Sequence, residues 1–273
     1  MSIPYHSINL TSNTHNELNL QLHPLKQTQL KLLQFSSKMV DSNNYRFSWK
    51  RAGILPRVGM QGKCSCCVMF ACTSLFSSIC AKNTNGQTIL FSKQQIIDCL
   101  PKQFPIGKGD SQGCYDTSFS EVLSYVKDYG LCREYEYPYQ GKRRSSPYSD
   151  AYIEKNKCLT LGEYEIGLES YPEQRILATI DRNPIMGVIP IFQTLQDFSG
   201  NGIYMGRAGI EEQKGCHAVL ITGYGVENGI KYYEIQNSWG IDWGDRGFAR
   251  VSRSLFRDLT AVYDIHCKDG WKG

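Results

Sequence analysis

Two stretches of this sequence carry residue types that can do nucleophilic chemistry together. The first is Gln61-Gly62-Lys63-Cys64-Ser65-Cys66-Cys67, running into Val68-Met69-Phe70-Ala71. The second is Cys216-His217-Ala218-Val219, with Asn237-Ser238-Trp239-Gly240 starting twenty residues after the histidine. A thiol attacks as its thiolate, and a neighbouring imidazole can take the proton and later return it to a leaving group. A carboxamide such as Asn237 can orient that imidazole, and one such as Gln61 can donate to an oxyanion. These are the parts of a cysteine acyl-transfer site.

Three thiols crowd the first stretch: Cys64, Cys66 and Cys67. Apolar or small residues at Val68, Ala71, Leu75 and Ile79 predict a helix over Cys67–Cys80. Cys67 would open it, where backbone amides and the helix dipole stabilise a thiolate. Taken singly, each residue has a plainer reading. A free cysteine is commonly a buried structural thiol, His217 a satisfied core histidine, Asn237 a turn asparagine and Trp239 a core tryptophan. Their order along one chain favours catalysis. Of the five histidines, at 6, 15, 23, 217 and 266, only His217 heads an apolar strand.

The elements that must hold these residues change character along the chain. Helices are predicted at Gln94–Leu100, opened by a Ser92/Gln95 capping box, and from Ser118 with Glu121 through Tyr129, closed by Gly130. Pro172 suits the first turn of a helix over Glu173–Arg182. Pro184–Phe192, Ala218–Gly223, Ile230–Ile235 and Phe248–Val251 then read as strands separated by glycine-rich turns. Helices followed by strands argue for an α+β chain with two lobes.

With 273 residues, 41% hydrophobic and 21% charged, the chain has material for one large or two small cores. A net charge of +4 is too small to argue for a nucleic-acid partner, and the basic run Lys142-Arg143-Arg144 reads as a solvated loop. No apolar run is long enough to span a bilayer. Eleven cysteines suit a secreted or lysosomal protein with one thiol left over. The opening Met1-Ser2-Ile3-Pro4-Tyr5-His6-Ser7 shows no apolar leader region, so lysosomal or extracellular placement is expected on the cysteines, despite no visible signal peptide. Residues 1–42 are polar and read as an N-terminal tail or shortened pro-region, with a glycosylation pattern at Asn9-Leu10-Thr11. No histidine lies at zinc-ligand spacing from Cys64–Cys67, so no metal is expected, and no cofactor is implied. The adjacent pair Cys66-Cys67 lacks the spacing of a redox dithiol.

The run Asn237-Ser238-Trp239-Gly240, then Trp243-Gly244 and Gly247, follows the pattern N-S-W-G…W-G…G of the papain family of cysteine peptidases. Over roughly Tyr45 to Val262 the chain resembles that family, cathepsin-like members included. The resemblance implies a papain-like two-lobed fold within residues 43–273, with a helical lobe over about 52–166, a β-barrel-like lobe over about 167–262, and the active site in the cleft between them. It selects Cys67 as nucleophile, since Gln61 stands six residues before it, as the family's oxyanion-hole glutamine stands before the catalytic cysteine. His217 is then base and acid, Asn237 its orienting partner, and Trp239 the cover over their hydrogen bond. The resemblance also implies bridges Cys64–Cys114 and Cys99–Cys158, and places Ala208 and Val262 where a third bridge often lies. Cys66, Cys72, Cys80, Cys132, Cys216 and Cys267 are left without assigned partners.

Several positions depart from the family pattern. The signature C-G-[SA]-C-[WY] reads Cys64-Ser65-Cys66-Cys67-Val68, and Ser65 puts a Cβ at a tight turn. G-C-x-G-G reads Gly113-Cys114-Tyr115-Asp116-Thr117, so Asp116 and Thr117 should narrow or recharge the substrate wall. Phe119, Val188, Gly215 and Ala218 would line an apolar pocket for the P2 side chain. The loop Leu100–Gly113 has no histidine, which favours an endopeptidase over a carboxydipeptidase. The implied partners are protein or peptide substrates and cystatin-like inhibitors, acting on a monomer. The alternative is a weakly active or inactive homologue that binds peptides or protein partners.

Overall fold

The computed structural model describes residues 45–84, 86–104 and 109–267. The readings of the tail 1–42 and of Asn9 lie outside the described residues. The chain enters as strand β1 (Arg46–Ser48) and turns through a 3-10 segment, Trp49–Ala52. Helix α1 (Cys67–Asn83) follows. One apolar stripe announces it in the sequence, yet nearly every residue from Val68 to Ala81 is buried. A helix wrapped on all sides must satisfy its own polar groups. The hydroxyls of Thr73, Ser77 and Ser78 do so by donating to the carbonyls of Met69, Thr73 and Ser74, each at 2.8 Å.

Helix α2 (Lys93–Cys99) opens with the Ser92 hydroxyl accepting the Gln95 amide at 3.0 Å. The expected reciprocal half of that box is absent. The Gln95 side chain instead donates to Tyr125 and to the Gly130 carbonyl, and accepts from the Cys132 amide. Helix α3 (Phe119–Tyr129) has the full capping box of Ser118 with Glu121, closed at Gly130. A short helix α4 (Asp150–Asn156) leads to strands β2 (Leu159–Leu161) and β3 (Tyr164–Ile166). Helix α5 (Glu173–Arg182) begins one residue after Pro172, which occupies the cap and not the first turn.

Strand β4 (Ile185–Ile191), a helical turn α6 (Gln193–Gln196) and strands β5 (Ile203–Tyr204), β6 (Gly215–Glu227), β7 (Ile230–Gln236), β8 (Phe248–Ser252), β9 (Arg257–Val262) and β10 (Ile265–Cys267) complete the described chain. The main sheet runs β3-β9-β4-β6-β7-β8-β5, with β1 also pairing β6. Its pairs are antiparallel except β5 with β8. β2 and β10 form a separate antiparallel pair. The β6–β7 hairpin turns on Asn228-Gly229, both at positive φ, the conformation an Asn-Gly hairpin supplies. β1 crosses so closely that a Cβ on Gly223 would stand 2.2 Å from the Phe47 carbonyl oxygen.

β6 serves two cores. Ala218 and Leu220 pack with Leu75, Phe76, Ile96 and Leu123 in the helical core. Val219 and Ile221 point the other way, to Ile180, Ile185, Ile235 and Val251. Both faces of the strand are buried, which explains its unbroken apolar reading. The proposed boundary residue Gly167 sits in a left-handed turn directly after β3, itself part of the main sheet.

Cys64 and Cys114 form a disulfide with their Cα atoms 5.3 Å apart. Cys99 and Cys158 are not bonded, which corrects the second bridge. Cys99 ends α2 facing Tyr125 and Tyr137. The backbone of Cys158 is held by the Leu131 carbonyl at 2.8 Å, and its sulfur faces Arg133 and Cys80.

Candidate active site

The two motif stretches are sewn together by backbone. Gln61 N–H donates to the Ser238 carbonyl at 2.8 Å and Gly240 N–H to the Gly59 carbonyl at 2.9 Å. The Gln61 side chain is fixed at both ends. Its Oε1 accepts from the Ser238 hydroxyl at 2.7 Å, and its Nε2 donates to the Cys64 carbonyl at 3.0 Å. Tyr139 donates its hydroxyl to the Gln61 carbonyl at 2.7 Å. Asp110 takes the Ser65 amide at 2.7 Å on one oxygen, and the Gln112 and Cys114 amides at 2.8 and 2.9 Å on the other. Burial pushes the Asp110 carboxyl up, but these amides outweigh it and hold it below its ordinary range.

Four thiols stand in or beside this loop, and their environments separate them. Cys64 is spent in the disulfide. Cys64 and Cys67 do stand in C-x-x-C spacing, but that bond to Cys114 removes the dithiol. Cys66 is buried against the Tyr139 hydroxyl at 3.4 Å, and burial pushes its thiol up to about 12. Cys72, one turn into α1, is fully buried and its thiol is pushed well up. Cys67 alone is partly exposed, at the first position of α1. Burial raises its thiol, opposed by the Ala218, Val68 and Cys67 amides that face the sulfur, while the Asp116 charge adds to the rise.

His217 lies on β6, one residue before Ala218, and is buried. Its Nε2 is 2.6 Å from Asn237 Oδ1. The Ser238 amide donates to that same oxygen at 2.7 Å. A backbone N–H can only donate, so an acceptor faces the ring, and Nε2 must carry its proton. Nδ1 is then the basic nitrogen. The ring stacks on Trp239 with centroids 4.4 Å apart, and Trp243 meets Trp239 edge-on. Asn237 Nδ2 is buried with no hydrogen-bond partner among the described residues. A buried amide left half-satisfied is expensive, and here its satisfied oxygen is the end that holds His217.

Residues 44–262 match the family model described as papain family cysteine protease. The chain belongs to the papain family of cysteine proteases. It is 32% identical to Cysteine proteinase 3 of Solanum lycopersicum over 74% of its own length and 54% of that protein's. Papain-family structures overlay it. They include the digestive procathepsin L 3 of Tenebrio molitor larval midgut (TM-score 0.65, 26% identity, 84% of this chain and 72% of that one). The ragweed pollen allergen Amb a 11 in its proform is also similar (TM-score 0.63, 27% identity, 80% and 64%). The fold is thus the papain-like α+β fold. The chain spans about half the length of the Solanum protein.

Within this papain-family framework the departures resolve differently from one another. Ser65 has no positive φ, so its Cβ brings no strain of that kind. Thr117 turns its hydroxyl onto Glu121 at 2.7 Å, joining the α3 cap, so it adds less to the wall than its residue type implies. Asp116 is exposed and projects charge onto Cys67. Val188 and Ala218 are cross-strand neighbours in the β4–β6 pair, and Phe119 is buried in the same helical core. Asp110 and Tyr139 escaped the sequence reading. The run Gly109-Asp110-Ser111-Gln112-Gly113 was the available signal, since an aspartate in such a turn commonly accepts nearby amides.

Burial pushes the His217 imidazole down to about 4 from an ordinary 6.5, partly offset by Asn237. Desolvation shifts Cys67 and His217 each toward its neutral form. The unfolded chain takes up the His217 proton near 6.5, the folded one only near 4. Stability from this residue is therefore complete above pH 6.5 and lost as pH falls toward 4. Denaturation midpoints measured across that window should fall less steeply with acid in His217→Ala than in the wild type. Parallel slopes would show that His217 contributes nothing.

Proposed function

We propose that this chain is a cysteine-type endopeptidase that cuts peptide bonds through a thioester acyl-enzyme. The observation that carries this reading is the 2.6 Å bond from His217 Nε2–H to Asn237 Oδ1, under Trp239, which leaves Nδ1 as the basic nitrogen, while Cys67 stands at the first position of α1. As the Cys67 sulfur attacks the scissile carbonyl, its proton passes to His217 Nδ1. The developing oxyanion is met by the Cys67 amide and by Gln61, whose Nε2 carries a second hydrogen beyond the one given to Cys64. Collapse breaks the C–N bond, and the imidazolium proton leaves on the amine. Water, deprotonated by His217, then releases the acid from sulfur.

Phe119, Val188, Gly215 and Ala218 support a preference for an apolar P2 side chain. The Cys64–Cys114 bridge supports an oxidising compartment, lysosomal or extracellular. Protein or peptide substrates and cystatin-like inhibitors are the partners this reading implies. A second reading, a peptide-binding homologue without turnover, draws on the Asp116 charge that opposes a thiolate at Cys67.

An epoxysuccinyl or vinyl sulfone probe with peptide mapping separates the two. Modification confined to Cys67 and lost in His217→Ala supports the peptidase; a folded sample that stays unlabelled, or labels evenly across many cysteines, rules it out. Gln61→Ala should lower kcat by about 10²–10³-fold with little change in KM, as loss of one oxyanion donor does. An unchanged kcat would remove Gln61 from the oxyanion hole.

A further inference from the structure

Away from the cleft, the far end of α1 carries a second pair of thiols that no role above uses. Cys80 Sγ and Cys267 Sγ are 3.7 Å apart, although 187 residues separate them in sequence. Cys80 is buried in the helical core. Cys267 is the last residue of β10, packs against that core from its edge, and is partly exposed. Register holds it there: β10 pairs with β2, Cys267 opposite Leu159 and Ile265 opposite Leu161. Side chains alternate along a strand, so Cys267 shares its face with the buried Ile265 while His266 points outward. Arg133 and Cys158 face the pair.

From this juxtaposition we infer that Cys80 and Cys267 form a second disulfide under oxidising conditions, fastening the C-terminal strand to the helix that carries Cys67. The sulfurs must close from 3.7 Å to about 2.0 Å, a movement within reach of side-chain rotation. The oxidant is a low-molecular-weight disulfide such as oxidised glutathione. Cys267, the more accessible thiol, loses its proton and attacks one glutathione sulfur, releasing the first glutathione thiolate. Cys80 then attacks Cys267 Sγ, releasing the second. Two protein thiols become one disulfide, and one oxidised glutathione becomes two reduced molecules. In that second step the Arg133 charge favours Cys80 as the attacking thiolate.

The test needs no activity. The folded full chain is incubated with a glutathione redox buffer, quenched with an alkylating agent under denaturing conditions, and mapped without reduction. The expected result is a linked peptide joining Cys80 to Cys267, with Cys99, Cys132 and Cys158 alkylated. Oxidation should raise Tm by roughly 5–15 °C in the wild type but not in Cys267→Ser. Recovery of both residues as alkylated thiols overturns the inference, as does a link from either one to Cys158.

Discussion

Replacing His217 with alanine should lower kcat/KM on a peptide substrate by about 10⁴-fold or more, with KM nearly unchanged. The size follows from the geometry. Cys67 and His217 are both held toward their neutral forms. Attack by the sulfur requires the thiol to lose its proton, and Nδ1 is the acceptor this reading assigns. No other described imidazole can substitute, because His266 is exposed on β10. A loss under tenfold would mean that the sulfur reaches its thiolate by another route, and the proposed division of labour would fall. Parallel loss of probe labelling at Cys67 would tie the effect to the nucleophile and not to substrate binding.

Removing the Cys64–Cys114 bridge by Cys114→Ser should cost about 4 kcal/mol, the chain-entropy value for a closed loop of 50 residues. That corresponds to a fall in Tm of about 8–16 °C for a domain of this size. Calorimetry on the variant under oxidising conditions reads it directly. The bridge also keeps Cys114 N–H on Asp110, which in turn grips Ser65 two residues before Cys67. Activity at a temperature where the variant remains folded should therefore fall as well. A Tm within a degree or two of the wild type would show that Asp110 and the packing around Cys64 hold this loop unaided.

How much of this was legible depended on whether a residue's role is set by its neighbours in sequence or in space. Strands β4, β6, β7 and β8 announce themselves through apolar runs bounded by glycine, and the motif at Asn237–Gly247 survives intact. β9 does not, because Arg257 and Asp258 open it with charge and Asp258 takes a positive φ. β10 pairs with β2, a contact across more than 100 residues of chain that no local pattern encodes. The pairing of Cys64 with Cys114 was legible because both sit in motif positions. Cys158 was misassigned because the Leu131 carbonyl that fixes its backbone cannot be read from cysteine spacing. Gln95 illustrates the same limit: its place in a capping-box pattern is local, but its carboxamide serves Tyr125, Gly130 and Cys132 from afar. The ionisation of the Cys67–His217 pair is likewise a matter of burial, which residue types alone do not report.

The sharing of β6 between two cores bears on how the molecule comes apart. Ala218 and Leu220 belong to one hydrophobic cluster and Val219 and Ile221 to the other. Neither half can therefore melt while its neighbour stays dry, because losing either face uncovers the same backbone. Such a strand makes unfolding all-or-none. It also means that the segment carrying His217 inherits the protection of the whole domain, and cannot be loosened by fraying at one edge.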